Sequence, residues 1–382
     1  MALRDAGYDV TVIAPRAPGQ PLREELEGVT VRRYPPARER PGPLGYVAEF
    51  GWAWLCTTTL TAVQFATEGF AAIQSCNPPD IFFVTAAPYK LLGCPFVFDQ
   101  HDLSPELYAV RYGAGSGPVM RLLLALERWT YRTADHVIAV NEPWAEIARH
   151  RGAKRDDEVT LVRNGPTLAE AAPRPFRVEL KAGRPHLCVW VGEMGAVDDG
   201  VDLAVRAAHH VVHVVGRNDC HFAFLGDGEA FRDVTALAQE LDLQDHLSFT
   251  GWVDRPTVLD YLAVADVGLQ PDPKNPRTDQ ATAVKTLEYL AFGIPVVAFD
   301  LEETRRTVGG AGVYATGNDP AAMGALVVEL LDDPARRAAM SEQGKAAVRD
   351  GLSWDQQSVA YVGVFDRVLG RGDRKAAFRH AD

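Results

Sequence analysis

Two side chains of opposite charge, Lys285 and Glu288, lie three residues apart in the segment Val284 to Asp300. On a helix, this spacing places both side chains on one face. Gly293 is a natural left-handed stop for that helix, and the apolar run Val296 to Phe299 is typical of a buried strand. A cation beside a carboxylate suits a nucleotide diphosphate, with lysine for phosphate and glutamate for ribose hydroxyls. The alternative that spacing leaves open is a helix with one weak surface ion pair.

His101 is a second candidate for chemistry. Together with Asp102 it follows a predicted strand, Pro95 to Asp99, within the stretch FDQHDLSPELY. Open α/β sheets bind ligands beyond the carboxyl ends of their strands, so His101 is predicted at a ligand-binding edge. The alternative is a loop histidine whose ring is satisfied by the backbone.

Two glycine-rich loops follow predicted strands later in the chain. Gly192 to Gly195 comes after the strand Leu187 to Val191, and Gly226-Asp227-Gly228 comes after the strand Phe222 to Leu225. A glycine-rich turn between a strand and a helix presents backbone N–H groups to an anion. Asp227 itself is interpreted as a turn residue rather than a catalyst.

These candidates need an α/β framework to bring them together, and the chain predicts one. Strand-like runs alternate with helical periods, and the first runs are Asp9 to Ala14, Val29 to Tyr34 and Ile81 to Thr85. A chain of 382 residues is too long for one core, so two domains are expected. We predict domains at residues 1–170 and 171–353, with a helical segment at 354–382. The proline-containing stretch Ala169 to Arg184 is the predicted linker.

Composition restricts the partners and the metal chemistry. A net charge of −12 argues against a nucleic-acid binder, which needs a basic face, but is compatible with a local basic cleft, so nucleic acid is not expected as a partner. The five cysteines form no CxxC pair and no Cys/His cluster at zinc spacing. Asp198-Asp199 is adjacent rather than spaced, so capping of a helix N-terminus is its expected role. We predict reduced thiols, no metal site and no cofactor.

The apolar stretch Gly45 to Ile73 bears on location. Its polar interruptions argue against a membrane-spanning helix. A helix facing the core and a helix in peripheral contact with a bilayer both fit the pattern. No signal-peptide pattern opens the sequence. We therefore expect a cytoplasmic protein, with peripheral contact to the inner face of a membrane left open.

Taken in order, these segments resemble the retaining glycosyltransferases of family 4. The resemblance covers nearly the whole chain and rests on the order and spacing of DVTVIAP, FDQHDLSPELY, VRNGP, VGEMG with DDGVDLAVRA, FLGDG, FTGW, KTLEYLAFGIPVV and LSW. It implies the GT-B fold, in which two Rossmann-like doubly wound domains face each other across a cleft and the C-terminal helix returns to the N-terminal domain. It also implies a UDP- or GDP-linked sugar as co-substrate and a carbohydrate or lipid-linked acceptor.

The resemblance assigns roles at matching positions. Glu288 matches the second glutamate of an E-x7-E motif, which binds ribose hydroxyls, and the first glutamate falls at Gln280. His101 matches a histidine that contacts the transferred sugar. His101, Lys285 and Glu288 are therefore the catalytic candidates. The remaining donor-binding candidates are Gly192, Gly195, Gly226, Asp227, Gly228, Gln280 and Leu287.

The sequence also departs from the family's pattern. An arginine and a lysine that bind the diphosphate in many members fall here at Glu193 and Asp199, which reverses the charge. Lys285 becomes the main candidate for the phosphate, helped by backbone N–H groups and by Lys274 or Arg277. Relatives also place a strand and a glycine turn ahead of the segment that opens this sequence. We therefore expect this exact chain to be impaired in activity.

The implied function is metal-independent transfer, with retention, from a nucleotide sugar to a hydroxyl of a polysaccharide, a lipid-linked or a small molecule. Gln280 and Glu193 motivate one alternative, a catalytically impaired subunit that binds a nucleotide or a partner enzyme. A GT-B sugar-nucleotide epimerase is the other. An NAD-dependent enzyme is disfavoured, because no G-x-G-x-x-G opens a βαβ unit.

Overall fold

A computed structural model of the chain describes residues 1–37, 43–113, 115–195 and 197–371. The chain divides into two compact units, Met1–Val162 with Ser358–Asp382, and Arg163–Gln357. The sequence analysis placed the two domain boundaries after residue 170 and after residue 353. Residues 372–382 of the expected last segment lie outside the described part of the chain.

The first unit contains two separate sheets. One has the order β1-β3-β2, with β2 antiparallel to β3, and the other has four parallel strands in the order β4-β5-β6-β7. The strands are β1 (Thr11–Pro15), β2 (Arg23–Leu26), β3 (Val29–Tyr34), β4 (Ile73–Cys76), β5 (Phe96–Gln100), β6 (His136–Ala139) and β7 (Val159–Leu161).

The helices of this unit are α1 (Ala2–Asp5), α2 (Pro43–Thr67), α3 (Phe83–Lys90), α4 (Ser104–Tyr112), α5 (Pro118–Thr133) and α6 (Glu142–His150). Helices α3, α5 and α6 contact the four-stranded sheet, whose β5 is buried along its whole length, whereas α2 contacts β1 and β3 of the other sheet. The end of the chain contacts this unit as well, because Tyr361 donates to Gln74 Oε1 at 2.6 Å and Tyr8 to Asp366 Oδ1 at 2.6 Å. No helix in the described ranges combines the length and apolarity needed to cross a bilayer.

The expected strand at Ile81 to Thr85 is wrong. The strand before β5 is β4, Ile73–Cys76, and the apolar residues that follow Asp80 enter α3 instead. A short apolar run does not distinguish a buried strand from a buried helix segment. The sequence of β4, IQSC, lacks the apolar run that would have marked it as a strand.

The second unit is built on one six-stranded parallel sheet in the order β10-β9-β8-β11-β12-β13. Its strands are β8 (His186–Val191), β9 (Cys220–Leu225), β10 (Leu247–Phe249), β11 (Val267–Gln270), β12 (Val296–Phe299) and β13 (Gly312–Ala315). Its helices are α7 (Val201–His209), α8 (Phe231–Glu240), α9 (Arg255–Val264), α10 (Val284–Phe292), α11 (Glu302–Val308), α12 (Pro320–Asp332) and α13 (Pro334–Ala347). The last helix, α14 (Trp354–Val368), begins in this unit.

Both faces of this sheet are packed. Alternate residues of β8 enter two apolar clusters, Cys188 and Trp190 on the side of α7 and α12, and Leu187 and Val189 on the side of α9 and α10. A parallel sheet with helices on both faces reads as continuous apolar runs, as these strands do. The α/β class and the Rossmann-like organisation predicted from the sequence are confirmed.

The helix that carries Lys285 and Glu288 forms where expected. Helix α10 ends at Phe292, and Gly293 adopts the left-handed conformation with φ of 69°. Most residues avoid this conformation, and glycine adopts it without a steric penalty. The chain then enters β12, all of whose residues are buried. Local sequence signals therefore fix the position of both charged side chains beside the sheet.

Candidate active site

A cavity of ≈ 330 Å³ lies in the second unit, next to the carboxyl ends of β8 and β11. The loop after β8, the loop after β11 and the start of α10 line it, which is the ligand-binding edge of an open parallel sheet. Its polar lining residues are Glu193, Asp198, Asp199, Asp272, Arg277, Thr278, Thr282, Lys285 and Glu288.

Lys285 lies in the first turn of α10, and its side chain is only 10% exposed. Its Nζ lies 3.0 Å from Asp272 Oδ1 and 3.8 Å from Asp199 Oδ1. The same Nζ stands 5.1 Å from the centroid of the Trp190 ring. Burial raises the pKa of Asp199, and the neighbouring lysine opposes that shift. Two carboxylates and an aromatic face thus hold one cation in the cavity.

Glu288 lies one helical turn further along and is also mostly buried. Its carboxylate accepts a hydrogen bond from Arg255 Nη1 at 2.5 Å, and Arg255 Nε donates to Glu170 at 2.8 Å. Burial raises the pKa of Glu288, while the guanidinium of Arg255 lowers it. Lys285 and Glu288 therefore each pair with a residue outside α10, and both side chains line the cavity. The intrahelical ion pair considered from spacing does not describe them.

A second cation, Arg277, enters the cavity from the loop after β11. Its Nη1 lies 2.6 Å from Asp198 Oδ2, and Asn275 Nδ2 donates to Asp198 Oδ1 at 2.9 Å. Asp199 accepts from the N–H of Gly195 at 3.0 Å. The expected capping role of the two aspartates is wrong, because Gly200 is the cap of α7 and no side chain bonds there. Instead, Asp198 pairs with Arg277 and Asn275, and Asp199 pairs with Lys285 and the N–H of Gly195.

The glycine-rich turns pack closely instead of offering their N–H groups to a ligand. The N–H groups of Gly192, Met194 and Gly195 donate at 2.9–3.1 Å to acceptors within the protein. A Cβ at Gly226 would lie 1.8 Å from the carbonyl oxygen of Gly192, and one at Gly228 would lie 2.6 Å from that of Met194. Glycine is needed because the two loops touch backbone to backbone.

The structure brings together some of the predicted donor-binding residues and separates others. Gly192, Lys285 and Glu288 line the cavity. Gln280 Nε2 donates to the carbonyl of Pro276 at 3.1 Å, and the Leu287 side chain is fully buried. The predicted residues outside the lining are Gly195, Gly226, Asp227, Gly228, Gln280 and Leu287.

Asp227 behaves as the turn residue that the sequence analysis expected. Its carboxylate accepts from the N–H of Gly228 at 2.8 Å, and its carbonyl accepts from Met194.

Asp272, by contrast, was missed as a site residue. It stands two positions past β11, and the rule that ligands bind at strand ends was the signal available for finding it.

The cavity carries more negative than positive charge. Among the described residues that line it, five are carboxylates and two, Lys285 and Arg277, are cations. Both cations are paired with carboxylates, so an incoming phosphate must compete with Asp272 and Asp198 for them. Because Glu193 and Asp199 are acidic where many family members are basic, two cations of the lining are available to bind an anionic ligand.

His101 belongs to the first unit, just past the end of β5. Its Nε2 lies 3.1 Å from Asp99 Oδ1, and its backbone N–H donates to Asn77 Oδ1 at 2.8 Å. The hydrogen bond to Asp99 raises the pKa of His101 to about 10, so the ring is protonated at neutral pH. A carboxylate side chain, rather than a backbone group, pairs with this ring nitrogen.

Comparison with known proteins identifies the family. Residues 1–165 match the profile of the glycosyl transferase 4-like domain, and residues 185–333 match that of the glycosyl transferases group 1. The chain is 30% identical to D-inositol 3-phosphate glycosyltransferase of Kineococcus radiotolerans, over 75% of this chain and 69% of that relative. The chain belongs to family 4 of the glycosyltransferases.

Other comparisons support this glycosyltransferase fold. The chain is 31% identical to GDP-mannose-dependent monoacylated alpha-(1-6)-phosphatidylinositol monomannoside mannosyltransferase of Corynebacterium glutamicum, over 41% of each protein's length. The structure of sucrose-phosphate synthase from Thermosynechococcus elongatus covers 97% of this chain and 92% of its own, with a TM-score of 0.78 and 18% identity. Trehalose-6-phosphate synthase matches with a TM-score of 0.71 and 12% identity, over 96% of this chain and 94% of its own. These structures share the GT-B fold.

Proposed function

We propose that this chain transfers a sugar, with retention and without a metal ion, from a nucleotide-diphosphate donor to a hydroxyl acceptor. One observation carries the proposal. Lys285 and Glu288 line one cavity at the strand ends, each held by a partner from another element. Ammonium and carboxylate are the groups that a diphosphate and a ribose diol require.

In the proposed complex, Lys285 and Arg277 bind the diphosphate and Glu288 accepts hydrogen bonds from the ribose. Asp272 and Asp198 hold these cations until the phosphates arrive. The cavity then exchanges two carboxylate partners for phosphate oxygens. Pre-positioned cations lose less side-chain entropy on binding than unconstrained ones.

The proposed reaction breaks the bond between the anomeric carbon and the leaving phosphate oxygen. The acceptor hydroxyl attacks from the same face, and a leaving phosphate oxygen takes its proton. Negative charge grows on the diphosphate during this step, and Lys285 is placed to stabilise it. Removing one such electrostatic contact from a water-poor site costs about 3–4 kcal/mol. The family resemblance assigns His101 to the transferred sugar, and that assignment is part of this proposal.

The acceptor is proposed from the relatives. Two of them are named for inositol phosphate or phosphatidylinositol mannoside substrates, so phosphorylated inositols are the first acceptor class to test.

Peripheral membrane contact is proposed through α2. Trp52, Leu55 and Val63 follow one helical face and are 40%, 51% and 42% exposed. Co-sedimentation of the chain with anionic vesicles tests that contact. We expect Leu55→Glu to reduce the fraction that sediments.

The decisive experiment identifies the product. The full chain is incubated with α-linked UDP- or GDP-sugars and an inositol phosphate, with EDTA present, and the anomeric configuration of the product is read by NMR. We expect an α-linked product whose formation EDTA does not reduce. A β-linked product would overturn retention, and loss of activity restored by Mg²⁺ would overturn the metal-free mechanism. Isomerised nucleotide sugar without acceptor would indicate an epimerase, and nucleotide binding without turnover an impaired subunit.

A further inference from the structure

Three side chains of types that can bind metal ions converge in the first unit. Cys76 ends β4 and pairs in register with Asp99 of β5. His101 follows two residues after Asp99. One potential ligand atom from each of the three residues lies within 4.8 Å of the others. No sequence motif predicts this group, because its residues come from two neighbouring strands, β4 and β5, and from the loop that follows β5.

The separations fit a single small cation. His101 Nε2 lies 3.1 Å from Asp99 Oδ1, and Cys76 Sγ lies 3.9 Å from Asp99 Oδ2. Ligands placed tetrahedrally around zinc, at about 2.0–2.3 Å from the metal, are about 3.3–3.7 Å apart. All three ligand atoms lie within 4.8 Å of one another, so side-chain adjustments of about 1 Å bring them to zinc geometry.

A chain of hydrogen bonds orients the central carboxylate. Gln74 Nε2 donates to Asp99 Oδ2 at 2.7 Å, and Tyr361 donates to Gln74 Oε1 at 2.6 Å. Asn77 fixes the other side by accepting from the backbone N–H of His101. Outer partners of this kind fix the orientation of ligands in metal sites.

The site is closed on one side and open on the other. Asp99 is 8% exposed, whereas Cys76 is exposed and the His101 side chain is 35% exposed. A cation can therefore enter from solvent and keep one coordination position for water. Thiolate, imidazole and carboxylate together are a donor set that suits zinc better than magnesium or calcium.

We propose that Cys76, Asp99 and His101 bind one zinc ion, with the fourth position open to solvent. Binding releases the thiol proton of Cys76 and the Nε2 proton of His101 to the solvent, and no redox step is involved. Zinc breaks the direct hydrogen bond between His101 and Asp99. Where the proposed role of His101 toward the transferred sugar holds, zinc inhibits transfer, and this consequence alone rests on the proposed function.

The test measures metal binding directly, on the full chain without an affinity tag. Cobalt is the spectroscopic probe, because a cobalt–thiolate bond gives a charge-transfer absorption in the near ultraviolet. We expect this absorption to saturate at one equivalent of Co²⁺ and to be abolished by Zn²⁺. Cys76→Ser should remove the absorption, and His101→Gln should weaken zinc binding at least tenfold. Gln74→Leu should weaken it about tenfold, because it removes an outer partner.

Two controls separate this site from other ligands. Cys56→Ser removes a partly buried thiol of α2 and should leave the absorption unchanged. His213→Gln disrupts a pair of histidines outside the proposed site, His209 and His213, whose rings lie 5.2 Å apart, and should also leave the absorption unchanged. Absence of the absorption in the folded wild-type chain, or its persistence in Cys76→Ser, would overturn the proposal. A chain that binds cobalt in this way but transfers no sugar would overturn only the proposed function.

Discussion

At the scale of single residues, the cations of the cavity are already paired before a donor arrives. Lys285 is held by Asp272 and Asp199, and Arg277 by Asp198. The two cations are therefore positioned, and part of their charge is offset. A diphosphate is bound to the extent that it is a better partner than a carboxylate, since it offers more oxygens and more charge.

Arg255 is predicted to position Glu288 for the ribose. Its guanidinium bridges Glu170 and Glu288, at 2.8 and 2.5 Å. Arg255→Gln should raise the KM for the donor about tenfold with a smaller change in kcat, because the carboxylate loses its fixed orientation but the leaving-group contacts remain. Tenfold corresponds to about 1.4 kcal/mol. Steady-state kinetics with varied donor concentration measure the split.

Arg174→Gln is the matched control for Arg255. Arg174 is also an arginine paired with a carboxylate of the second unit, Asp260, at 2.8 Å. It does not line the cavity, so its replacement should leave the donor KM unchanged. Equal kinetic effects of the two substitutions would show that Arg255 acts through stability rather than through Glu288.

At the scale of elements, a buried carboxylate ties α11 to the segment that opens the second unit. Glu303 has a fully buried side chain and accepts hydrogen bonds from Arg163, Thr282 and Thr307, each at 3.0 Å. Thr282 also lines the cavity. The same carboxylate therefore anchors both the chain entry and the wall of the site.

Glu303→Ala is predicted to destabilise the protein strongly. Removing one partner of a buried ion pair leaves the other charge uncompensated, which costs about 3–5 kcal/mol. Urea unfolding followed by circular dichroism measures this free energy. The neighbouring Glu302, 68% exposed on its side chain, gives the control, and Glu302→Ala should cost less than about 1 kcal/mol. Similar costs for the two variants would contradict the role given to Glu303.

A buried histidine between two strands makes stability depend on pH. His221 of β9 pairs through Nε2 with Ser248 Oγ of β10 at 2.8 Å, and burial lowers its pKa from 6.5 to about 4. Between these values the unfolded chain binds a proton that the folded chain does not. This contribution therefore reduces stability as the pH falls from 6.5 to 4, by at most about 1.4 kcal/mol per pH unit.

His221→Gln is predicted to flatten that dependence. Unfolding free energies measured at several pH values between 6.5 and 4 should fall less steeply for this variant than for the wild-type chain. His150→Gln, which changes an exposed histidine at the end of α6, should follow the wild-type slope. Parallel curves for His221→Gln and wild type would refute the assignment.

At the scale of the whole molecule, local signals predicted more than long-range ones. Gly293 and the run Val296 to Phe299 marked the end of α10 and the start of β12, because a turn residue and an apolar strand act on their immediate neighbours. The strand β4 was missed, because its pairing with β5, not its own composition, makes it a strand. The sequence therefore predicted the order of helices and strands along the chain better than it predicted which strands pair with one another.

The candidate site shows the same limit. Lys285 and Glu288 were predicted from three-residue spacing, but their partners Asp272 and Arg255 lie 13 and 33 residues away in the chain. The group of Cys76, Asp99 and His101 likewise depends on the register of two strands. Such contacts follow from tertiary packing, and no spacing rule within one segment reports them.

The central claim is that the cavity around Lys285 binds the diphosphate of a sugar nucleotide. Calorimetric titration of UDP- and GDP-sugars into the wild-type chain and Lys285→Met tests it most directly, since methionine keeps the apolar stem over Trp190. Lys274→Met is the matched control, because Lys274 is 50% exposed on its side chain and lies outside the lining. We predict that Lys285→Met raises the donor Kd at least tenfold, about 1.4 kcal/mol, and that Lys274→Met leaves it unchanged. An unaltered Kd in a folded Lys285→Met variant would contradict the account.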